Sequence, residues 1–121
     1  MDCEPPFEVI TTPNTTIISP NYPNPYDPDV DCQVTVNFKE KVSIVFEDFD
    51  LFDYGNCNYD SDWLEAHDGD SSESDMIGER LCGHDLPNPI ESTGDSMTLV
   101  FHTDSKNQVF KGFKIKTYQK H

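Results

Sequence analysis

Short runs in which apolar and polar residues alternate dominate this chain and restrict it to β-structure. Val34, Val36 and Phe38 alternate with polar neighbours, which is the pattern of a strand with one buried face. Similar runs predict further strands at residues 42–46, 63–67, 97–103 and 113–118. Nowhere do ten consecutive residues carry the apolar stripe of a helix. We therefore expect an all-β domain.

Turn-forming residues separate these strands. Five prolines between residues 13 and 28 exclude a helix there and favour extended segments joined by turns. The polar residues Lys39, Glu40 and Lys41 predict a turn that joins the first two strands as a hairpin. Several short strands with turn signals between them are typical of an antiparallel sandwich or barrel.

The four cysteines, Cys3, Cys32, Cys57 and Cys82, indicate two disulfide bonds and a location outside the cytosol. None forms a CxxC pair or has a histidine at zinc-finger spacing, which argues against structural zinc. Four cysteines allow three pairings, of which the sequential one closes two separate, short loops. The sequon at Asn14 predicts N-glycosylation in the same context. Four reduced core cysteines in a cytosolic protein are the alternative.

The charge balance excludes two classes of partner. Eight Lys and Arg stand against 23 Asp and Glu, which gives a formal net charge of −15 at pH 7. Nucleic acids and anionic headgroups need clustered cations, so neither is an expected partner. No apolar run approaches the length of a membrane-spanning helix, and we expect no direct membrane insertion.

The acidic residues are concentrated in one part of the chain. Twelve carboxylates and no Lys or Arg lie between Glu47 and Glu79. Crowded carboxylates repel one another unless they are solvated or share a cation. Oxygen ligands without His or Cys favour Ca²⁺ over a transition metal, although the spacing is not that of an EF-hand. A solvated acidic surface is the other interpretation.

Catalysis is not expected. Paired carboxylates serve as acid and base in glycosidases, but a sandwich of 121 residues has little room for a substrate cleft. No G-x-S-x-G motif occurs, and the four histidines have no metal-ligand spacing. We therefore interpret the chain as a non-enzyme.

Six motifs in order resemble the CUB domain, the extracellular sandwich module of complement proteases, tolloid-type proteases, neuropilins and spermadhesins. They lie at residues 18–23, 45–51, 62–69, 81–83, 99–104 and 111–113. The resemblance extends from Cys3 to about Tyr118 and implies a jelly-roll-like sandwich of two antiparallel sheets. It also implies that the first cysteine pairs with the second and the third with the fourth.

The resemblance further implies a Ca²⁺ site at one end of the sandwich, as in many CUB domains. The family's last aspartate corresponds to Asp104, and the tyrosine that braces the first carboxylate corresponds to Tyr26. Lys106 and Asn107 fall where the family often supplies a backbone carbonyl and a side-chain oxygen.

Two departures from the family pattern affect the other ligands. Phe52 occupies the position of the usual glutamate, which is the first carboxylate in chain order. We expect the neighbouring Asp53 to replace that glutamate, as a third carboxylate beside the middle ligand and Asp104. The segment after Cys57 is also longer than usual. Counting forward from Cys57 gives Asp60 as the middle ligand, and counting back from Asp68 gives Asp62. We favour Asp62 because strand register fixes side-chain direction more firmly than a loop does.

These inferences predict a binding module, with residues 1–121 as a single CUB domain excised from a larger extracellular protein. Its partner would be an extracellular protein that offers an exposed Lys or Arg to the acidic calcium site. One alternative is a calcium-independent module that spaces or dimerises a larger protein. Another is spermadhesin-like carbohydrate binding, with Tyr54 and Tyr59 as aromatic anchors.

Overall fold

Eight β-strands make up the fold in the computed structural model, which describes residues 1–53, 57, 61–104 and 109–120. The strands are β1 (Glu8–Ile10), β2 (Thr16–Ile18), β3 (Asp31–Asn37), β4 (Lys41–Asp50), β5 (Trp63–His67), β6 (Ile90–Glu91), β7 (Ser96–His102) and β8 (Gly112–Lys120). The predicted all-β class is confirmed. Among the described residues there is no helix long and apolar enough to cross a membrane.

The strands form two four-stranded sheets. One sheet has the order β1-β3-β7-β5 and the other has the order β2-β8-β4-β6. Neighbouring strands are antiparallel, except for β1 and β3, which are parallel. The two-sheet sandwich expected from the family resemblance is confirmed.

The predicted hairpin between the first two long strands is wrong, because β3 and β4 belong to different sheets. Strand β3 pairs with β7 along its whole length, from Asp31 opposite His102 to Asn37 opposite Ser96. Strand β4 pairs instead with β8. Phe38 is buried, and its amide donates to the Asp95 carbonyl (2.9 Å), so the chain continues past β3 before it turns. Long-range pairing therefore prevails over the local turn signal.

Alternating side chains of both sheets form the core between them. Val34, Val36 and Phe38 are buried, as their alternation predicts. Phe101 lies at the centre and contacts the rings of Tyr26 (5.3 Å between centroids) and Phe113 (5.1 Å) edge to face. Full burial of a large apolar side chain contributes about 1.5–3 kcal/mol, and this cluster holds the sheets together beneath one end of the sandwich.

Two disulfides cross-link segments that lie mostly outside the strands. Cys3 pairs with Cys32, which ties the N-terminal segment to the beginning of β3. Cys57 pairs with Cys82, which ties the β4–β5 connection to the segment before β6. This is the pairing that the family resemblance implies. No free cysteine occurs in the described chain.

Gly112 permits a close approach at the beginning of β8. Its φ is +93°, and a Cβ placed there would lie 2.8 Å from the Cβ of Ser19 and 3.6 Å from the Tyr26 ring. Only glycine combines this backbone angle with the missing side chain. The Ser19 hydroxyl accepts a hydrogen bond from the Phe113 amide (2.9 Å), so this contact seats the segment that carries Tyr26.

An ionic cluster attaches residues 71–81 to the outer side of β5. Glu65 is buried and accepts a hydrogen bond from Arg80 Nε (2.6 Å), and its other oxygen lies 2.9 Å from His67 Nε2. The Arg80 guanidinium also stacks over Trp63, 4.3 Å from the ring centroid. Burial raises the pKa of Glu65, but the hydrogen bonds from Arg80 and His67 outweigh burial and leave it below its ordinary value.

We predict that Glu65→Gln lowers the free energy of unfolding by about 1–3 kcal/mol at pH 7, because Arg80 loses its charged acceptor. A carboxyl whose pKa is lowered by folding stabilises the fold above its unfolded-state pKa. That stabilisation is lost as the pH falls from about 4.5 through the lower folded-state pKa. The difference in free energy of unfolding between the variant and the parent protein should therefore become smaller below about pH 4.5.

Urea unfolding between pH 7 and pH 3 measures the effect. Glu73→Gln removes the same charge from an exposed position and is the control. An equal effect of both variants, or a gap that does not depend on pH, would contradict the assignment.

Candidate functional site

Five strand ends meet at one end of the sandwich and bring the predicted site residues together. Strands β4 and β7 end there, and β3, β5 and β8 begin there, because Trp63 and Asp31 both pair with His102 and Asp50 pairs with Gly112. The connections that leave these strands carry Asp53, Asp62 and Asp104. We call these three residues and their surroundings the acidic edge.

Asp62 is a carboxylate with no exposed surface. Its Oδ2 accepts a hydrogen bond from the Tyr26 hydroxyl (2.6 Å), and its Oδ1 accepts one from the Asp104 amide (2.8 Å). Its own amide donates to the Phe52 carbonyl (3.0 Å). One side chain therefore joins the connections that carry Tyr26, Phe52 and Asp104.

The surroundings of Asp62 disfavour its negative charge. Burial raises its pKa, and the negative charge of Asp104 raises it further, while the hydrogen bonds from Tyr26 and Asp104 partly offset both effects. Within the described residues, no Lys or Arg forms an ion pair with it. A buried carboxylate stabilised mainly by neutral donors is a place where a bound cation would lower the free energy of the folded state.

Tyr26 is positioned by the proline-rich segment before β3. Its amide donates to the Phe110 carbonyl (3.2 Å), and its hydroxyl accepts from the Phe52 amide (3.0 Å) while donating to Asp62. Burial, followed by the hydrogen bond to Asp62, raises the pKa of its hydroxyl far above the ordinary value. The hydroxyl is therefore a neutral donor that holds the Asp62 carboxylate in place.

Asp104 is half-buried and fixed through its backbone. Its carbonyl accepts from the Asp29 amide (2.8 Å). The preceding Thr103 hydroxyl donates to the Asp27 carbonyl and accepts from the Val30 amide (both 2.9 Å). The segment before β3 thus holds the end of β7 beside Asp62.

Phe52 and Asp53 make contacts outside this group. The Phe52 ring packs against Phe110, with 6.0 Å between centroids. Asp53 is exposed, and its Oδ1 accepts from the Ser61 hydroxyl (3.1 Å) and the Cys57 amide (3.2 Å). Asp53 forms a group of close potential ligands with the sulfurs of Cys57 and Cys82, but those sulfurs are bonded to each other. That group, drawn from the described residues, includes neither Asp62 nor Asp104.

The structure therefore brings Tyr26, Asp62 and Asp104 together and places Asp53 beside the disulfide. Tyr26 donates to Asp62 rather than to Asp53, the first carboxylate, which the family resemblance expected it to brace. The predicted site residues Asp60, Lys106 and Asn107 lie outside the described residues, as do Tyr54 and Tyr59. Sequence reasoning missed two contributors. Ser61 has no exposed surface and bonds Asp53, and its position between two aspartates is a signal that could have found it. Phe110, which packs on Phe52, has no such signal.

The predicted glycosylation site lies away from the acidic edge. Asn14 precedes β2 and is exposed, with a φ of +65°. Its amide donates to the Thr117 carbonyl (2.9 Å). An asparagine in an exposed turn is a suitable glycan acceptor, and glycosylation of Asn14 stays a prediction.

The chain is similar to known proteins over nearly its whole length. The family description "CUB domain" matches residues 3–117. Canine (Canis lupus familiaris) cubilin is 40% identical over 101 residues, which cover 82% of this chain and 3% of cubilin. The chain is therefore similar to one module of a much longer protein.

Two solved structures have the same fold. The MASP-1 CUB2 domain, solved bound to Ca²⁺, has a TM-score of 0.77 at 27% identity, with 92% of this chain and 96% of that chain covered. The full extracellular region of zebrafish Gpr126/Adgrg6 has a TM-score of 0.79 at 30% identity, with 98% and 15% covered. The first is a calcium-bound domain and the second is part of an extracellular region.

We predict that Tyr26→Phe lowers the free energy of unfolding by about 1–3 kcal/mol in calcium-free buffer at pH 7. The substitution keeps the ring but leaves a buried Asp62 oxygen and the Phe52 amide without their partner. Urea unfolding measures the loss. Tyr118→Phe removes a hydroxyl from an exposed residue of β8 and should change stability by less than about 0.5 kcal/mol. Equal effects of the two variants would show that the Tyr26 hydroxyl does not support Asp62.

Proposed function

The chain belongs to the CUB family, and we propose that it is a non-catalytic, Ca²⁺-dependent interaction module of a larger extracellular protein. The observation that carries this proposal is the buried Asp62 carboxylate, held by Tyr26 beside Asp104. CUB modules mediate extracellular protein interactions in relatives of this chain, and the MASP-1 CUB2 domain was solved with Ca²⁺ bound. Both findings support the proposal.

The donor chemistry of the acidic edge fits Ca²⁺. A carboxylate has about four lone-pair sites, and the hydrogen bonds from Tyr26 and the Asp104 amide use two of those on Asp62. Asp62 and Asp104 would supply the carboxylate oxygens, with the Lys106 carbonyl and the Asn107 side chain as further oxygen ligands. Calcium takes six to eight such hard ligands in a flexible arrangement.

Asp53 would be the third carboxylate, but it has to turn to join the others. Its present hydrogen bonds to Ser61 and Cys57 hold Oδ1 on the side of the disulfide. Breaking them costs free energy, and Asp is one methylene shorter than the usual Glu. We therefore expect Asp53 to contribute less to calcium affinity than Asp62 or Asp104.

Bound Ca²⁺ would neutralise the buried Asp62 and the half-buried Asp104 and cross-link the connections that meet at the acidic edge. A module ordered in this way presents a fixed surface to a partner, so less conformational entropy is lost on association. Acids that the ion does not fully neutralise can accept a charge-assisted hydrogen bond from a Lys or Arg of that partner. The net charge of −15 would also attract a basic surface.

We predict that Ca²⁺ raises the melting temperature and that the rise depends on Asp62 and Asp104. Extracellular modules bind Ca²⁺ at about 10⁻⁴–10⁻³ M. With a dissociation constant of about 0.1 mM, ~1 mM Ca²⁺ stabilises the fold by about 1.4 kcal/mol. This corresponds to a rise of roughly 4–8 °C for a domain of this size.

Calorimetry and thermal unfolding with Ca²⁺ or chelator provide the test. Asp62→Asn and Asp104→Asn should abolish both binding and the thermal shift, and Asp104→Asn preserves a test if the buried variant does not fold. Asp70→Asn is the matched control, because Asp70 is exposed at the opposite end of β5. If the parent protein shows neither binding nor a thermal shift, the calcium-independent structural role replaces the calcium proposal.

We also predict that partner binding requires the acidic edge. Asp104→Ala should lose the partner together with Ca²⁺, and chelator should have the same effect on the parent protein. Where the acid meets a buried Lys or Arg, its loss should cost about 2–5 kcal/mol of binding free energy. A contact at the rim would instead change mainly the association rate and its salt dependence.

Affinity capture from extracellular fluid with immobilised domain, followed by binding assays with the purified partner, measures this. The Asp70→Asn domain serves as the capture control. If the same protein binds equally to Asp104→Ala and in chelator, the binding surface lies elsewhere on the sandwich. A glycan array tests the carbohydrate alternative directly.

A further inference from the structure

The outer face of the sheet β2-β8-β4-β6 concentrates positive charge in a chain that has little of it. Four of the eight Lys and Arg of the sequence lie in β8 or directly before it, at positions 111, 114, 116 and 120. Lys114 and Lys116 are partly exposed and alternate with Ile115 and Thr117, which have no exposed surface. The two lysines therefore lie on the solvent side of the sheet, at its middle.

Lys114 and Lys116 have no ionic partner in the part of the chain that the structure describes. This is unexpected in a sequence with 23 Asp and Glu. Asp48 in β4 is directly opposite Lys114, but its Oδ2 is held by the Tyr22 hydroxyl (2.6 Å) and by Lys111 Nζ (2.9 Å). The nearest acid across the strands is thus engaged by other groups, and both ammonium groups are available to a ligand.

Exposed apolar side chains lie beside these lysines. Ile18 in β2 is directly opposite Lys114, and Val45 in β4 is directly opposite Lys116. Directly opposite residues of antiparallel strands share a face of the sheet. Ile18 is 42% exposed, and Tyr118, two residues after Lys116, is 39% exposed. We call these five residues the lysine face. Cations among exposed apolar side chains suit a polypeptide, which offers both carboxylates and apolar contacts, better than a sulfated polysaccharide, which offers mainly charge.

We propose that the lysine face binds an extended, acidic segment of a protein partner. Alternate residues of a strand are about 6.6–6.8 Å apart, and alternate side chains of an extended peptide have the same repeat. A segment with carboxylates on alternate residues can therefore pair with Lys114 and Lys116 together. Charges more than about 8 Å away are largely screened at physiological salt, so these lysines attract a segment in contact with them despite the net charge of −15.

This inference rests on the proposed function only in that it assumes a protein partner. It concerns the outer face of a sheet, whereas the acidic edge lies at the strand ends, and it does not require Ca²⁺. The partner's recognised groups are also of the opposite charge. The two proposals can therefore fail separately.

Nuclear magnetic resonance of the ¹⁵N-labelled domain in calcium-free buffer tests the proposal with two blocked hexapeptides. In one, glutamate alternates with threonine, and in the other, glutamine replaces the glutamate. We expect the glutamate peptide to shift the amides of Ile18, Lys114 and Lys116 saturably. Its dissociation constant should lie in the millimolar range, because exposed ion pairs are individually weak. The glutamine peptide should bind at least fivefold more weakly.

Two lysine variants and a matched control sharpen the test. Lys114→Gln and Lys116→Gln should each weaken binding of the glutamate peptide by about two- to fivefold. Lys39→Gln removes the same charge from an exposed residue between β3 and β4, outside the lysine face, and should leave binding unchanged. Shifts centred elsewhere, equal binding of the glutamine peptide, or equal effects of the three variants would overturn the proposal.

Two further titrations distinguish this partner from other occupants of the face. Shifts of the same amides by a heparin fragment, but not by the glutamate peptide, would assign the face to a sulfated polysaccharide. Shifts that grow with the concentration of the domain alone would assign it to a second copy of this chain. Either result would overturn the proposal.

A calcium titration of the same sample separates this inference from the calcium proposal. Peptide shifts at the lysine face in a domain that binds no Ca²⁺ would support the lysine face and refute the calcium site. Calcium binding without peptide shifts would overturn the lysine face and leave the calcium site intact.

Discussion

The hydrogen bond between the Tyr26 hydroxyl and the buried Asp62 carboxylate organises the functional end of this protein. The same hydroxyl accepts from the Phe52 amide, and the same carboxylate accepts from the Asp104 amide. Four chain segments that are distant in sequence therefore meet at two side chains. Because the carboxylate is buried, it is stabilised by donors within the protein instead of by water. Removal of any one donor leaves a buried charge less well hydrogen-bonded and lowers the free energy of unfolding.

Three cations of the described residues form ion pairs with acids other than Asp62. Arg80 is held by Glu65 and Trp63, Lys111 by Asp48, and Lys120 by Glu91. These pairs lie on the outer sides of the sheets, where they attach loops or neighbouring strands. Within the described residues, none of them reaches Asp62. These three cations are therefore engaged by other acids, and within the described residues the charge of Asp62 is stabilised mainly by hydrogen-bond donors.

How far the sequence predicts this structure depends on the distance over which each signal acts. Alternation of apolar residues depends on local strand geometry, and it correctly identified buried Val34, Val36 and Phe38. The turn signal at residues 39–41 is also local. However, β3 pairs with β7 and β4 pairs with β8, and these partners lie about sixty to eighty residues further along the chain. No local pattern carries that information, so the predicted hairpin was wrong.

The candidate site likewise has features that the sequence could predict and features that it could not. The family pattern indicated Asp53, Asp62 and Asp104 as the carboxylates of one site, with Tyr26 bracing Asp53, whereas in the structure the Tyr26 hydroxyl donates to Asp62, which also accepts from the Asp104 amide. It could not indicate the contacts of Asp53, because those depend on the Ser61 hydroxyl and the Cys57 amide. A one-position shift of an acid along the chain is not equivalent to the original residue: Phe52 takes the apolar contact with Phe110, and Asp53 moves to the side of the disulfide.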